Sequence, residues 1–340
     1  MSELSFYEAA RLVSRRKTLG HKVDVRETLT PGITTATSPS IQRGFTLIEL
    51  IMVIVLMGVI GGMVSVFMKT PIDAYVSSGR RAALTDTADT VVRRMARDVR
   101  KALPNSVRLP TAGNTCFEFI PTINGGRYRA DGSGALDFSG TTTSASFNML
   151  GSNSGFAGQA IPTDQQIANG DLIVVYNLGI PGSDAYELSN TALSGTPSVA
   201  VNSPAETAIG ITYSSGLTHF PLASGGNRFH VIDANEQVVS YVFVSGAASA
   251  SGDATGKLYR YARPALSAAY PVPTSCSALQ TAMLADTAYP PALLAKNVST
   301  CSFSYDTLVQ RNAIVQMTLG LTSANETVTL HHEIHVDNTP

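Results

Sequence analysis

Glu49 is the residue whose position most needs a chemical explanation. It is the single charge in Phe45–Met68, FTLIELIMVIVLMGVIGGMVSVFM. An ionisable group at the centre of a spanning segment costs ~2.5–3.5 kcal/mol on insertion scales, so such groups are usually paired or functional. The bland reading is that Glu49, close to one end of the run, reaches the aqueous interface. A second candidate lies in LHHEIHV, residues 330–336. On a strand His331, Glu333 and His335 share one face, which three metal ligands or an ordinary polar strand face explain alike. The zinc-protease pattern His-Glu-x-x-His is missed by one residue, because His335 follows Glu333 too closely. The ordinary polar face is the better reading, and no metal or other cofactor is expected. No Ser/His/Asp grouping, phosphate loop or paired-carboxylate motif stands out, so the sequence supports a structural protein rather than an enzyme.

The elements that must position these residues begin with the apolar run itself. As a helix its twenty-four residues cover roughly 36 Å, enough for a hydrocarbon core of ~30 Å. Arg15, Arg16, Lys17, Lys22, Arg26 and Arg43 precede it. The positive-inside rule therefore puts residues 1–43 in the cytoplasm and residues from Lys69 onward across the membrane. No Ala-x-Ala-like site follows the run, which sets it apart from a secretory signal peptide. Pro71 is expected to bend the helix without ending it. Beyond it Ala88, Val91, Val92, Met95, Val99 and Leu103 recur at three- and four-residue spacing, predicting an amphipathic continuation to about Leu103. Arg93, Arg94, Arg97, Arg100 and Lys101 fall on other faces; without interleaved aromatics they read as a solvated surface, and no nucleic acid partner is expected.

From Cys116 the signals are those of strands: Cys116–Ile120, Asp171–Asn177, Phe229–Ile232, Gln237–Val244, Lys257–Tyr261, Val298–Tyr305, Ala313–Leu321 and Thr327–Val336. Gly132–Gly158 and Thr191–Gly216 carry few large apolar residues and are expected as surface loops. The fold class is α+β: a long N-terminal helix packed on a mostly antiparallel β domain. Four parts are expected, a leader over 1–44, a spanning helix over 45–68, its amphipathic half over 69–103 and a β-rich domain over 104–340. With a formal net charge of −1 and only 14% charged residues, the composition gives no electrostatic case for an acidic partner. Of Cys116, Cys276 and Cys301, the pair Cys276–Cys301 is expected to form a disulfide in the oxidising compartment. Cys116 is then a buried small hydrophobe, or the partner of one of the other two.

Arg43-Gly44-Phe45-Thr46-Leu47-Ile48-Glu49 resembles the class III signal of type IV prepilins and type II secretion pseudopilins. The resemblance implies cleavage by prepilin peptidase between Gly44 and Phe45, with N-methylation of Phe45. Glu49 becomes the fifth mature residue, which in that family pairs with the terminal amine of a neighbouring subunit. Two buried opposite charges offset each other's desolvation only when packed together. The leader is longer than is usual for the family, and its middle, Thr28–Ser40, reads as linker. Pro71–Val76, Arg93–Arg108, Gly125–Arg129 and His335–Pro340 are similar to the minor pilins of MSHA-type pili, relatives of the J-type minor pseudopilins. The implied partners are prepilin peptidase, other pilins or pseudopilins and the inner membrane; the implied location is a single-pass inner-membrane precursor with a periplasmic C-terminus, then a filament. The readings that follow are a minor pilin of an MSHA-type pilus, a minor pseudopilin of type II secretion, and a membrane-anchored periplasmic enzyme or binding protein.

Overall fold

A computed structural model describes residues 44–156, 158–267, 270–306 and 312–340. The expected leader up to Arg43, with its basic residues and its Thr28–Ser40 linker, lies outside the described residues. Helix α1 (Leu47–Val99) is continuous through Pro71, although proline removes the N–H that would bond the Phe67 carbonyl. The described chain falls into two units, residues 44–64 and Ser65–Pro340, and each has its own character. In the first, every described residue is exposed, the large aliphatic side chains included. In the second, α1 buries one stripe, Leu84, Ala88, Val91, Val92, Met95, Ala96 and Val99, as the three-and-four spacing predicts. The helix closes earlier than expected. The N–H groups of Lys101 and Ala102 bond the carbonyls of Asp98 and Val99, a tighter winding that ends the helix before Leu103.

The strands are β1 (Cys116–Phe119), β2 (Asn124–Arg127), β3 (Ser144–Met149), β4 (Gly155–Phe156), β5 (Gln159–Ala160), β6 (Leu172–Val175), β7 (Thr191–Ser194), β8 (Ser198–Ala200), β9 (Ser203–Tyr213), β10 (Arg228–Ile232), β11 (Val238–Val244), β12 (Gly256–Arg263), β13 (Ala292–Asp306), β14 (Asn312–Ser323) and β15 (Glu326–Asp337). Helix α2 (Cys276–Ala285) lies between β12 and β13. One sheet has the order β1-β11-β12-β13-β14-β15, and the other β2-β10-β6-β7-β9-β3 with β8 beside β9. The apolar stripe of α1 packs on the first sheet, against Phe117, Phe119, Tyr241, Phe303, Met317 and Ile334 among others. The second sheet has its own core, around Phe147, Ile173, Ile209, Phe220 and Phe229. A third cluster, with Leu103, Ile120, Leu172, Val174 and Tyr186, joins the two.

Two expected surface loops are thereby corrected. Gly132–Gly158 contains β3 and β4, and Thr191–Gly216 contains β7, β8 and β9. Their large apolar residues are few, but those that alternate along a strand are buried, Phe147 and Met149 in β3 and Ile209, Ile211 and Tyr213 in β9. Period two, rather than apolar content, was the informative signal.

Polar contacts lock the end of α1 to the first sheet. Asp98 accepts from the Tyr241 hydroxyl and from Arg260 Nε, both at 2.7 Å. Where the chain leaves the helix, Glu118 is wholly buried on β1 and meets Arg108 at 2.6 Å. The Tyr270 hydroxyl donates to the same carboxylate at 3.3 Å, and Arg263 lies 3.6 Å from it. Arg108 also stacks on Tyr186, 3.5 Å from its ring centre. A carboxylate taken out of water needs this many donors to be tolerated.

The expected Cys276–Cys301 disulfide is also corrected: the bond joins Cys116 to Cys276, and Cys301 is free and buried. Cys276 opens α2, whose apolar face, with Leu279 and Met283, packs beside Cys116 and Tyr261. Cys301 belongs to the cluster under α1. Burial pushes its thiol up to about 12. Non-reducing peptide mapping should therefore return a Cys116–Cys276 linked peptide, with Cys301 alkylated only after unfolding. Closing a loop of this length is worth on the order of 5 kcal/mol in the chain-entropy model, so Cys116→Ser and Cys276→Ser should each lower the thermal midpoint well below that of Cys301→Ser. A linked Cys276–Cys301 peptide would contradict the assignment.

Candidate processing and assembly site

Gly44, Phe45 and Thr46 stand just ahead of α1 in non-helical backbone. Thr46 is the helix cap. Its hydroxyl accepts the backbone N–H of Glu49 at 3.3 Å, and its carbonyl accepts the N–H of Leu50 at 3.1 Å. With Leu47 as the first helical residue, Glu49 is the third, so Thr46-Leu47-Ile48-Glu49 has the spacing of a capping box. The first-turn position also sets a carboxylate at the positive end of the helix dipole. Sequence reasoning singled out Glu49 and missed Thr46; the T-x-x-E spacing ahead of an apolar run was the signal that could have found it.

Gly44 and Phe45 are both exposed, Phe45 at 80%. A Cβ added at Gly44 would meet nothing within 4 Å, so nothing in the described chain demands glycine there. Among the described residues no cation or hydrogen-bond donor meets the Glu49 carboxylate. α1 is one helix long and apolar enough to cross a membrane, and none of its most apolar window is buried. The structure thus brings Gly44, Phe45, Thr46 and Glu49 together within a turn and a half at the start of an unburied apolar rod.

The remaining candidates lie on exposed faces. His331, Glu333 and His335 lie on the exposed face of β15. His331 Nδ1 is 2.9 Å from the Thr318 hydroxyl, and Glu333 accepts from Gln316 Nε2 at 3.1 Å, both across to β14. Among the described residues no group of three His, Cys, Asp or Glu has an arrangement that could hold a metal. Arg93 pairs with Asp89 one turn earlier at 2.7 Å, and Arg94, Arg97, Arg100 and Lys101 are exposed.

Comparison with known proteins bears on this same segment. Residues 39–65 match the prokaryotic N-terminal methylation motif. The chain has a type IV pilin-like N-terminus. The match runs from ahead of Gly44 through the exposed apolar half of α1, and so covers Phe45, Thr46 and Glu49 together. No curated protein and no solved structure matches the chain.

Loss of the cap should be visible without any partner. Thr46→Ala removes the acceptor for the Glu49 N–H, at a cost of about 1 kcal/mol, or about fivefold faster exchange of the first-turn amides. Hydrogen exchange on the full chain in detergent micelles reads this directly; Thr46→Ser should leave the rates near those of the parent, and equal rates in Thr46→Ala would remove the capping role.

Proposed function

We propose that this chain is a minor pilin of an MSHA-type type IV pilus, cut by prepilin peptidase between Gly44 and Phe45 and helping to initiate or cap the filament. The observation that carries the reading is the methylation motif coinciding with the start of a helix whose apolar half is wholly exposed. A structural subunit needs such a rod, able to leave the bilayer and bury itself again among neighbouring rods. The cut releases the chain from its leader and exposes a new amine beside the first helical turn. Since glycine at 44 answers no crowding inside the chain, the requirement for it belongs to the peptidase that must approach the bond. Glu49 then serves assembly by meeting the methylated Phe45 amine of a neighbouring subunit, where both charges would otherwise be desolvated alone.

The size and strand content of the β domain support a minor rather than a major subunit, and the similarities at Pro71–Val76, Arg93–Arg108 and His335–Pro340 support the MSHA branch. A minor pseudopilin of type II secretion uses the same N-terminal chemistry. Deletion separates the two: lost pili with normal secretion is the expected phenotype, and lost secretion with normal pili would transfer the proposal to the secretion system.

Co-expression of the full chain with prepilin peptidase, followed by intact-mass analysis, should give a mature chain that begins at N-methylated Phe45. Retention of residues 1–44 under those conditions would sink the pilin reading. Glu49→Ala should be cut normally yet fail to enter sheared filaments, as measured by immunoblot of the filament fraction against the membrane fraction. Normal entry into filaments would remove the amine-pairing role from Glu49.

A further inference from the structure

The two edges of the first sheet differ sharply. Beyond β1, Arg108 exchanges backbone hydrogen bonds with Glu118 at 2.9 and 3.0 Å. The Leu103 N–H bonds the Ile120 carbonyl, and the Ser106 hydroxyl accepts the Ile120 N–H. That edge is closed by the chain leaving α1. At the opposite edge, β15 pairs with β14 in unbroken register over twelve residues, from Asn312↔Asp337 to Ser323↔Glu326. Among the described residues no backbone group of Thr327–Val336 bonds to anything beyond β14. Proteins usually blunt such an edge with proline, charged side chains and lysine above all, a bulge or a covering segment; of these β15 has only Glu326, which Arg80 and Arg81 pair, and the carboxylates Glu333 and Asp337. ETVTLHHEIHVD contains neither proline nor lysine, and its pairing has no register shift, although β12–β13 and β13–β14 both do.

We infer that β15 is an assembly edge that accepts one strand from a second, different pilin-type subunit, extending the first sheet across the subunit boundary. The inference rests on the filament reading above. The strand it fits alternates in character. On the helix side of the sheet it would continue the half-buried row of Val328 and Leu330, which pack at the margin of the α1 core, and so must be apolar there. On the other side it meets exposed Thr329, His331 and Glu333, and so must be polar. Backbone bonds supply the affinity and the alternating side chains the selectivity, as in other strand-addition complexes.

A second copy of this chain fits poorly, for two reasons visible in the fold. Its closed β1 edge cannot be offered to β15. Pairing β15 with β15 around a two-fold axis normal to the sheet would also reverse the helices. α1 runs alongside β15 in the same direction, since Arg80 and Arg81 meet Glu326 at one end, each at 3.2 Å, and Asn105 meets Asn338 at the other at 3.1 Å. The two-fold pair would put residue 65 of the two copies at opposite ends, whereas subunits anchored in one bilayer leave it at the same end. A different subunit whose β1-like edge is open satisfies both conditions.

The test uses the full chain, with Thr329 replaced by the photo-crosslinker p-benzoylphenylalanine, expressed with prepilin peptidase and the pilin-like proteins of its own gene neighbourhood. Cleavage at Gly44–Phe45 is read first; its failure would overturn the pilin reading itself, and the edge proposal with it. With cleavage intact, the expected adduct joins Thr329 to a strand peptide of a second protein carrying its own N-terminal methylation motif. Leu330→Lys, a charge on the inner face of the edge, should abolish that adduct and leave cleavage unchanged. Because this variant could weaken the fold, hydrogen exchange of the unmodified chain gives an independent reading: every second amide of Glu326–Asp337 should gain protection on assembly with that subunit. An adduct to a second copy, an adduct to residues 1–43, or assembly without new protection in β15 would each overturn the edge proposal while leaving the pilin reading standing.

Discussion

One helix with two solvents is the constraint on which the rest of this molecule depends. α1 is continuous from Leu47 to Val99, yet its early residues are apolar all round and its later residues apolar along a single stripe. A helix of the first kind is stable only when something other than water surrounds it, and a helix of the second kind only when a sheet or another helix covers one face. The first sheet is built to meet the second demand. Its inner face supplies Phe117, Tyr241, Phe303 and Met317 beneath the stripe, and Asp98 fixes the end of the helix to Tyr241 and Arg260. The buried Glu118 cluster then turns the chain from helix to sheet while closing the β1 edge. The polar network and the closed edge are thus one device seen from two sides.

How much of this was legible in the sequence differed by region, for physical reasons. The N-terminal segment was nearly explicit, because a charge in an apolar run has few physical explanations and the surrounding Gly-Phe-Thr-Leu-Ile-Glu pattern narrows them further. The packed stripe of α1 was equally plain, since Ala88, Val91, Val92, Met95 and Val99 obey the helical period without exception. The strands of the first sheet announced themselves through runs of valine, phenylalanine and tyrosine. In the second sheet only β6 and β10 did, within Asp171–Asn177 and Phe229–Ile232. Strands such as β3 and β9 are rich in serine, threonine, alanine or glycine and signal burial through only two or three alternating residues each, Phe147 and Met149 or Ile209, Ile211 and Tyr213.

The cysteine pairing failed for a different reason. Sequence separation favours neither partner of Cys276 strongly, because the cost of closing a loop grows only slowly with its length. What decides the pairing is that Cys276 begins α2, which lies on the side of the first sheet where Cys116 sits, while Cys301 belongs to the core under α1 on the other side. Thr46 carries no charge to mark it in the sequence, yet as the capping residue three positions before Glu49 it orients the turn that bears that carboxylate.

The Cys116–Cys276 bond encloses all of the second sheet and the strands β11 and β12 within one covalent loop. A protease that nicks any exposed turn between those cysteines would leave a two-chain molecule in which both pieces stay tethered at the base of α2. That is a form of damage tolerance: the domain can lose continuity of its backbone and still keep all of its parts attached to α1.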